Sequence, residues 1–536
     1  MRSVPRAERL LALLTLLLAT AARAGEAAPP EARPPTTLDA ATLDRLVNPE
    51  SRDETITSLV EATDVHALPV LRALLEGNLY LGPTSVLVDR DGALEDALTG
   101  APASVDRDQL EQVIINNRLR RTLERAVAAL SLLEGSASAR LTSARVLQDN
   151  PGPEVLPAVQ KALSQERDRG VQEVLRATAA MLALASADPG QRLQAIEELR
   201  KAHAKRRLLQ QLEVEKDPAV VAALEGAIRD VDLALERAAM VGLLFSGLSL
   251  GSLLLLAALG LAITFGLMGV INMAHGELLM VGAYATWLVQ LAFRGSRHFD
   301  WYLLAALPAS FLAAAAVGAL LEITVVRRLY GRPLETLLAT WGASLLIIQA
   351  VRVTFGAQNV EVSNPSWMSG GVALLPDLVL PWNRIVILLF SAAVLLGVWL
   401  LLKRTRLGLL VRAVTQDRQR ARGLGVRTPR VDLLAFAVGS GIAGLGGCAL
   451  SQIGNVGPEL GQGFLVDSFT VVVLGGVGQL AGTTIAAASL GVVNKLLEPW
   501  AGAVMAKIAV LVFVILFIQR RPQGLFALRG RALEDG

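Results

Sequence analysis

Apolar and polar positions alternate in two different ways along this chain, and the change falls near Met240. Before it, apolar residues recur three and four apart in short groups, the spacing that places them on one face of a helix. DVHALPVLRALLEG (64–77), GPEVLPAVQKALSQ (152–165) and DPAVVAALEGAIRD (217–230) each open on a turn and run into such a face. A lone apolar face must be buried on a neighbour, so this region is expected to stack as HEAT-like helical repeats. NLYLGPTSVLVDRDGALEDALTG (78–100) breaks the period, and its alternation around Asp-Arg-Asp-Gly predicts a small inserted hairpin.

After Met240 the apolar runs lengthen towards the roughly 20 residues that a bilayer core demands. Eight spans are expected, near 241–268, 277–293, 301–325, 334–354, 383–402, 431–451, 480–497 and 503–519. The fold class is all-α: a helical-repeat domain followed by a polytopic transmembrane domain. Basic residues gather between spans: Arg327, Arg328 and Arg332; Lys403 to Arg430; and Arg520, Arg521, Arg529 and Arg531. Positive loops stay on the cytoplasmic side.

The N-terminus predicts the opposite side. Arg2, Arg6 and Arg9 precede the apolar stretch Leu10 to Thr20, and Ala22-Arg23-Ala24 supplies a small-x-small cleavage pattern. Residues 1–24 are therefore expected to be an export signal, 25–237 a periplasmic domain and 238–536 the transmembrane domain. An uncleaved anchor is the alternative, and it leaves the same region outside. A chain that starts outside and ends inside crosses an odd number of times, so eight spans need one more. DSFTVVVLGGVGQLAG (467–482), ending in Gly475, Gly476 and Gly478, is the candidate half-helix. Irregular backbone at that depth lines a cavity or is buried in protein, which makes it a pathway wall or a glycine packing seam.

Composition narrows the function classes. The net charge of +3 and pI near 9.2 come from arginines in these loops, so membrane topology accounts for them and no nucleic-acid partner is expected. With Cys448 alone, no intrachain disulfide is possible. Four histidines occur, with no His-Glu-x-x-His, no Gly-x-Ser-x-Gly elbow and no phosphate loop, so neither catalytic residues nor a metal site are expected. An ATP-driven transporter built on this chain would take its ATPase from another polypeptide. A receptor and an ATP-independent channel are the rival readings.

Two sets of residues carry the candidate chemistry. Asn272, His275 and Glu277 lie where the first long apolar stretch breaks, as path residues or as caps of two helix ends at the cytoplasmic interface. Gln349, Asp467 and Thr470 are further path candidates, with Glu322 and Asn455. The loop KRTRLGLLVRAVTQDRQRARGLGVRTPR (403–430) predicts a short amphipathic helix turning at Gly423 and Gly425, fit to transmit closure of an ATPase or to lie solvated.

GLSLGSLLLLAALGLAITFGLMGVINMAHGELLMVGAY (247–284) resembles the opening span of the branched-chain amino acid type permeases of ABC importers. RAVTQDRQRARGLGV (412–426) resembles their coupling segment and TVVVLGGVGQLAGTTI (470–485) their late glycine-rich element. PLETLLATWGASLLIIQ (333–349), FGAQNVEV (355–362) and the added N-terminal domain look like the urea branch. The resemblance implies urea import through a bacterial inner membrane, with import of a branched-chain amino acid or a short-chain amide as the alternative. It further implies a second permease, two ATP-binding subunits that use the ATP, a periplasmic solute-binding protein and no cofactor in this chain. It assigns ATPase coupling to Arg412, Ala413, Gln416, Asp417, Arg418, Ala421, Arg422 and Gly425.

Overall fold

The computed structural model describes residues 38–526, apart from 84, 91, 104, 108, 109 and 376. The expected export signal, Arg529 and Arg531 lie outside the described residues. The chain divides between Asp232 and Leu233 into two compact units.

In the first unit, helices α1 (Ala40–Val47), α2 (Arg52–Glu61) and α3 (Leu68–Glu76) lead to strands β1 (Leu79–Leu81), β2 (Val86–Arg90), β3 (Ala93–Asp96) and β4 (Glu111–Gln112). The strands form one antiparallel sheet in the order β3-β2-β1-β4, with Leu79 opposite Val88 and Tyr80 opposite Gln112. Helices α4 (Asn117–Ser131), α5 (Ala137–Asp149), α6 (Leu156–Gln165), α7 (Arg169–Ala183), α8 (Pro189–Lys201) and α9 (Lys205–Val214) follow. Asn116, Ser136, Asp168 and Asp188 start four of them by accepting a first-turn N–H, which satisfies a donor the helix cannot. Leu46, Leu71, Leu74, Leu123, Leu130, Leu147 and Leu175 fill the core.

One turn recurs. Glu166 accepts the N–H groups of Arg167 and Asp168 and binds Arg140 through both oxygens at 2.7 and 2.8 Å. Glu215 does the same with Lys216, Asp217 and Arg192. A carboxylate in a Glu-basic-Asp turn thus closes one helix, anchors the next and ties both to an arginine upstream.

The second unit is built from α10 (Pro218–Met268, beginning in the first unit), α11 (His275–Phe293), α12 (Tyr302–Thr324) and α13 (Pro333–Phe355). A hairpin of β5 (Gly371–Leu375) and β6 (Leu378–Pro381) precedes α14 (Trp382–Arg404). Then come α15 (Arg406–Gln416), α16 (Arg418–Gly423), α17 (Thr428–Ser451), the short α18 (Gln462–Gly475) and α19 (Leu480–Arg520). Helices α11, α12 and α17 pack most closely. Glycines allow it: a methyl at Gly444 would stand 2.6 Å from the Ala314 side chain, and one at Gly447 would collide with the Leu279 backbone. In lipid, where the hydrophobic effect does not drive helices together, such close approach supplies the packing energy.

One expectation needs correction. The chain is mostly helical but not all-α, since the sheet and the β5–β6 hairpin are present. Among the described residues seven helices are long and apolar enough to cross a membrane, and the 41-residue α19 holds two of the expected spans. The expected spans 480–497 and 503–519 are the two helices of α19, which meet at a kink at Gly502 (φ 76°, ψ 160°) just after Pro499. Proline removes a helix donor and glycine accepts the left-handed φ, so the two pieces change direction without an intervening loop.

Candidate functional site

The break between α10 and α11 is buried inside the second unit. His275, the first residue of α11, is fully buried, and its Nε2 lies 2.8 Å from the Ala257 carbonyl of α10. A carbonyl only accepts, so Nε2 donates and Nδ1 is left as an acceptor; it has no protein partner. The imidazole also packs on Gly260, where a methyl would lie 3.1 Å from His275 Cε1. Ala257 and Gly260 precede the end of α10 by two to three turns, about 12–17 Å. Residues 269–274 therefore climb back along α10 before α11 begins. Six extended residues reach roughly 20 Å, enough for that climb.

Asn272 and Glu277 accompany His275 into the interior. The Asn272 side-chain oxygen accepts from the Ala274 N–H at 3.0 Å, which leaves its Nδ2 without a partner. The Ser344 hydroxyl reaches the Glu277 carboxylate, whose Oε2 is unpartnered. Thr340 accepts from the Met273 N–H at 3.1 Å. Thr340 and Ser344 come from α13, together with buried Thr336 one turn earlier. This stripe, four residues apart, faces inward while Leu334, Leu338, Trp341 and Leu345 face outward. It was not among the expected path residues, although the period of four in PLETLLATWGAS carried the signal.

The remaining path candidates lie elsewhere. Gln349 and Asn455 are exposed. Asp467 pairs with Lys507 at 2.8 Å, and the Thr470 hydroxyl bonds the Val466 carbonyl of its own helix. Glu322 is buried and paired with Arg327 at 2.8 Å. The three glycines sit in close backbone packing: Gly475 meets Gly482, Gly476 (φ 101°) meets Phe526, and Gly478 (φ 80°) meets Gly266. The half-helix runs from Gln462, five residues before the expected start, and the glycines form its end and the turn after it.

The coupling segment folds as α15 and α16, joined at Asp417, which accepts the Arg420 N–H at 2.8 Å. Gly425, at φ 86°, turns the chain into α17. Arg418 is not a free surface charge: it pairs with Asp432 of α17 and covers the Tyr330 ring at 4.7 Å. Burial pushes the Tyr330 phenol far up, so it stays neutral beneath the guanidinium. Arg422 donates to Thr428 Oγ1 at 2.9 Å and Arg412 to the Gly408 carbonyl at 3.3 Å, while Ala421 is buried and Ala413 half-buried. Arg412, Gln416, Arg420, Arg422 and Gly425 are exposed all the same, beside Leu409 (62% exposed) and Leu424 (86% exposed).

Comparison with known proteins addresses the same region. Residues 243–519 match the family described as the permease component of the branched-chain amino acid transport system. The high-affinity branched-chain amino acid transport system permease protein BraD of Pseudomonas aeruginosa is 30% identical over 290 residues, covering 53% of this chain and 94% of BraD. LivH of Escherichia coli K12 is 27% identical over 291 residues, covering 53% and 94%, and LivM of the same organism is 27% identical over 297 residues, covering 51% and 67%. Their names carry branched-chain amino acids rather than urea. No solved structure matches. With more than half of the chain matched and nearly the full length of BraD spanned, the chain belongs to the permease component family of branched-chain amino acid transport systems.

Proposed function

We propose that this permease forms part of the path by which an ATP-driven importer carries a small polar solute across a bacterial inner membrane. A second permease, two ATP-binding subunits and a periplasmic solute-binding protein complete it. The ATP-binding subunits dock on α15 and α16, and the first unit lies on the periplasmic side behind an export signal. The observation that carries the path is the buried set Asn272, His275 and Glu277, three neighbouring polar residues each with an unpartnered side-chain atom. Burying unpaired polar groups is expensive and is retained where function uses them.

The names of the relatives favour a branched-chain amino acid as the solute. One observation favours urea, the solute implied by the resemblance of 333–349 and 355–362. Among the described residues of the second unit the buried charged ones are three acids, Glu277, Glu322 and Asp432, and no Lys or Arg is buried there to meet a carboxylate. A neutral solute needs no such cation. ATP-dependent uptake of radiolabelled urea and leucine, run in parallel in proteoliposomes with all partner subunits, decides between them. Leucine accumulation supports the amino acid, urea accumulation the amide, and accumulation of neither refutes the importer reading.

A further inference from the structure

Helices α11 and α18 each begin inside the bundle, and their N-termini meet. Gly461, the N-cap of α18, and Gly276, the second residue of α11, are in backbone contact. A methyl on Gly276 would lie 2.6 Å from the Gly461 carbonyl oxygen, and one on Gly461 would overlap the Gly276 backbone. The level of this crossing is fixed by the adjacent His275, which sits against Ala257, near the middle of the apolar stretch 241–268. From there the helices diverge. The far end of α11 joins the cluster of Phe293, Phe299 and Tyr302, whereas the end of α18 reaches Gly478, packed on Gly266 at the opposite end of α10.

A helix N-terminus carries roughly half a positive charge and several free N–H groups, and both fade within about one turn. Two such ends in contact repel unless something electron-rich lies beside them. The unpartnered side-chain atoms at this point are of both kinds: Asn272 Nδ2 is a donor, His275 Nδ1 and Glu277 Oε2 are acceptors, and all three residues are at most 2% exposed. We propose that the meeting point of the α11 and α18 N-termini is a solute-binding site for a small molecule carrying an oxygen acceptor beside N–H donors. The helix ends and Asn272 bind the carbonyl or carboxylate oxygen, and Glu277 and His275 take the N–H groups. Urea and an α-amino acid share this pattern. The site rests on the importer reading and narrows its path to one place.

The test uses a cysteine, since the native Cys448 is buried. Asn272→Cys in the assembled importer, in proteoliposomes, is exposed to a cationic methanethiosulfonate reagent with and without urea or leucine. Modification slowed several-fold by one of them supports the site, and the protecting compound identifies which solute it takes. Modification unaffected by a solute that the parent importer accumulates overturns the site while leaving the importer reading intact. A parent that accumulates neither solute removes that reading instead, and protection, present or absent, then decides the site by itself. Gln349→Cys, exposed and away from the cluster, is the control and should show no protection. Should Asn272→Cys not assemble, Glu277→Gln replaces it. A severalfold rise in KM for uptake with a smaller change in maximal rate supports binding at Glu277, and an unchanged KM overturns it.

Discussion

Removing Arg418 should loosen the coupling segment rather than merely bare a docking surface. Its guanidinium pairs with Asp432, whose side chain is 3% exposed, while its own is 33% exposed. Removing one partner of a buried pair costs about 3–5 kcal/mol, because the survivor is left charged and unpaired. The partial exposure of Arg418 lets solvent screen the pair and reduces this to about 2–3 kcal/mol. At about 1.4 kcal/mol per factor of ten, Arg418→Ala should raise the detached population of α15 and α16 roughly 30- to 150-fold. Hydrogen–deuterium exchange of peptides spanning 406–427 in the detergent-solubilised chain reads that factor. Arg420 is the control: 87% exposed and paired with Asp417, the residue that caps its own helix, it should change exchange little when replaced by Ala. Replacing both partners, Arg418→Leu with Asp432→Leu, should restore much of the protection, since no lone charge remains. Unchanged exchange in Arg418→Ala, or an equal effect from Arg420→Ala, would refute a stabilising role for the pair.

Two further outcomes follow from contacts in the two units. Gly461→Ala should destabilise the permease by about 1–3 kcal/mol through overlap with the Gly276 backbone, while Gly342→Ala, which meets nothing within 4 Å, should be neutral; melting of the purified chain in detergent compares them. The Glu166 carboxyl is held down to about 2, from an ordinary 4.5, by its hydrogen bonds to Arg140. A depressed carboxylate stabilises the fold above its unfolded value and loses that contribution as pH falls through its folded one, so exchange at α5 and α7 should rise between about pH 4.5 and 2. Arg140→Ala should flatten that dependence, and a profile identical to the parent chain would exclude the pair as its cause.

The sequence made the spans legible because lipid imposes long apolar runs, and the glycine-ended half-helix because its run is too short to cross. It also placed Asn272, His275 and Glu277 at a break in the apolar stretch. Their depth was not legible, since it depends on residues 269–274 turning back along α10, and nothing local in VINMA distinguishes a climb from an exit at the membrane face. The gap between 480–497 and 503–519 was less legible: Pro499 and the left-handed Gly502 make it a kink between two helices rather than a loop. Nor could charge alone separate Arg418 from Arg420: only the fold shows that the first has Asp432 beneath it.

The Gly276–Gly461 crossing also has a mechanical meaning. Two rods joined backbone to backbone at one point, and extending to opposite sides of it, make a lever. The arms are about 28 Å for α11 and about 21 Å for α18 at roughly 1.5 Å per residue. A tilt of about 10° shared by both would swing their far ends by about 5 and 4 Å in opposite directions, while the crossing itself stayed almost still. Motion driven at one face would therefore arrive inverted at the other, with the fulcrum at the level of His275.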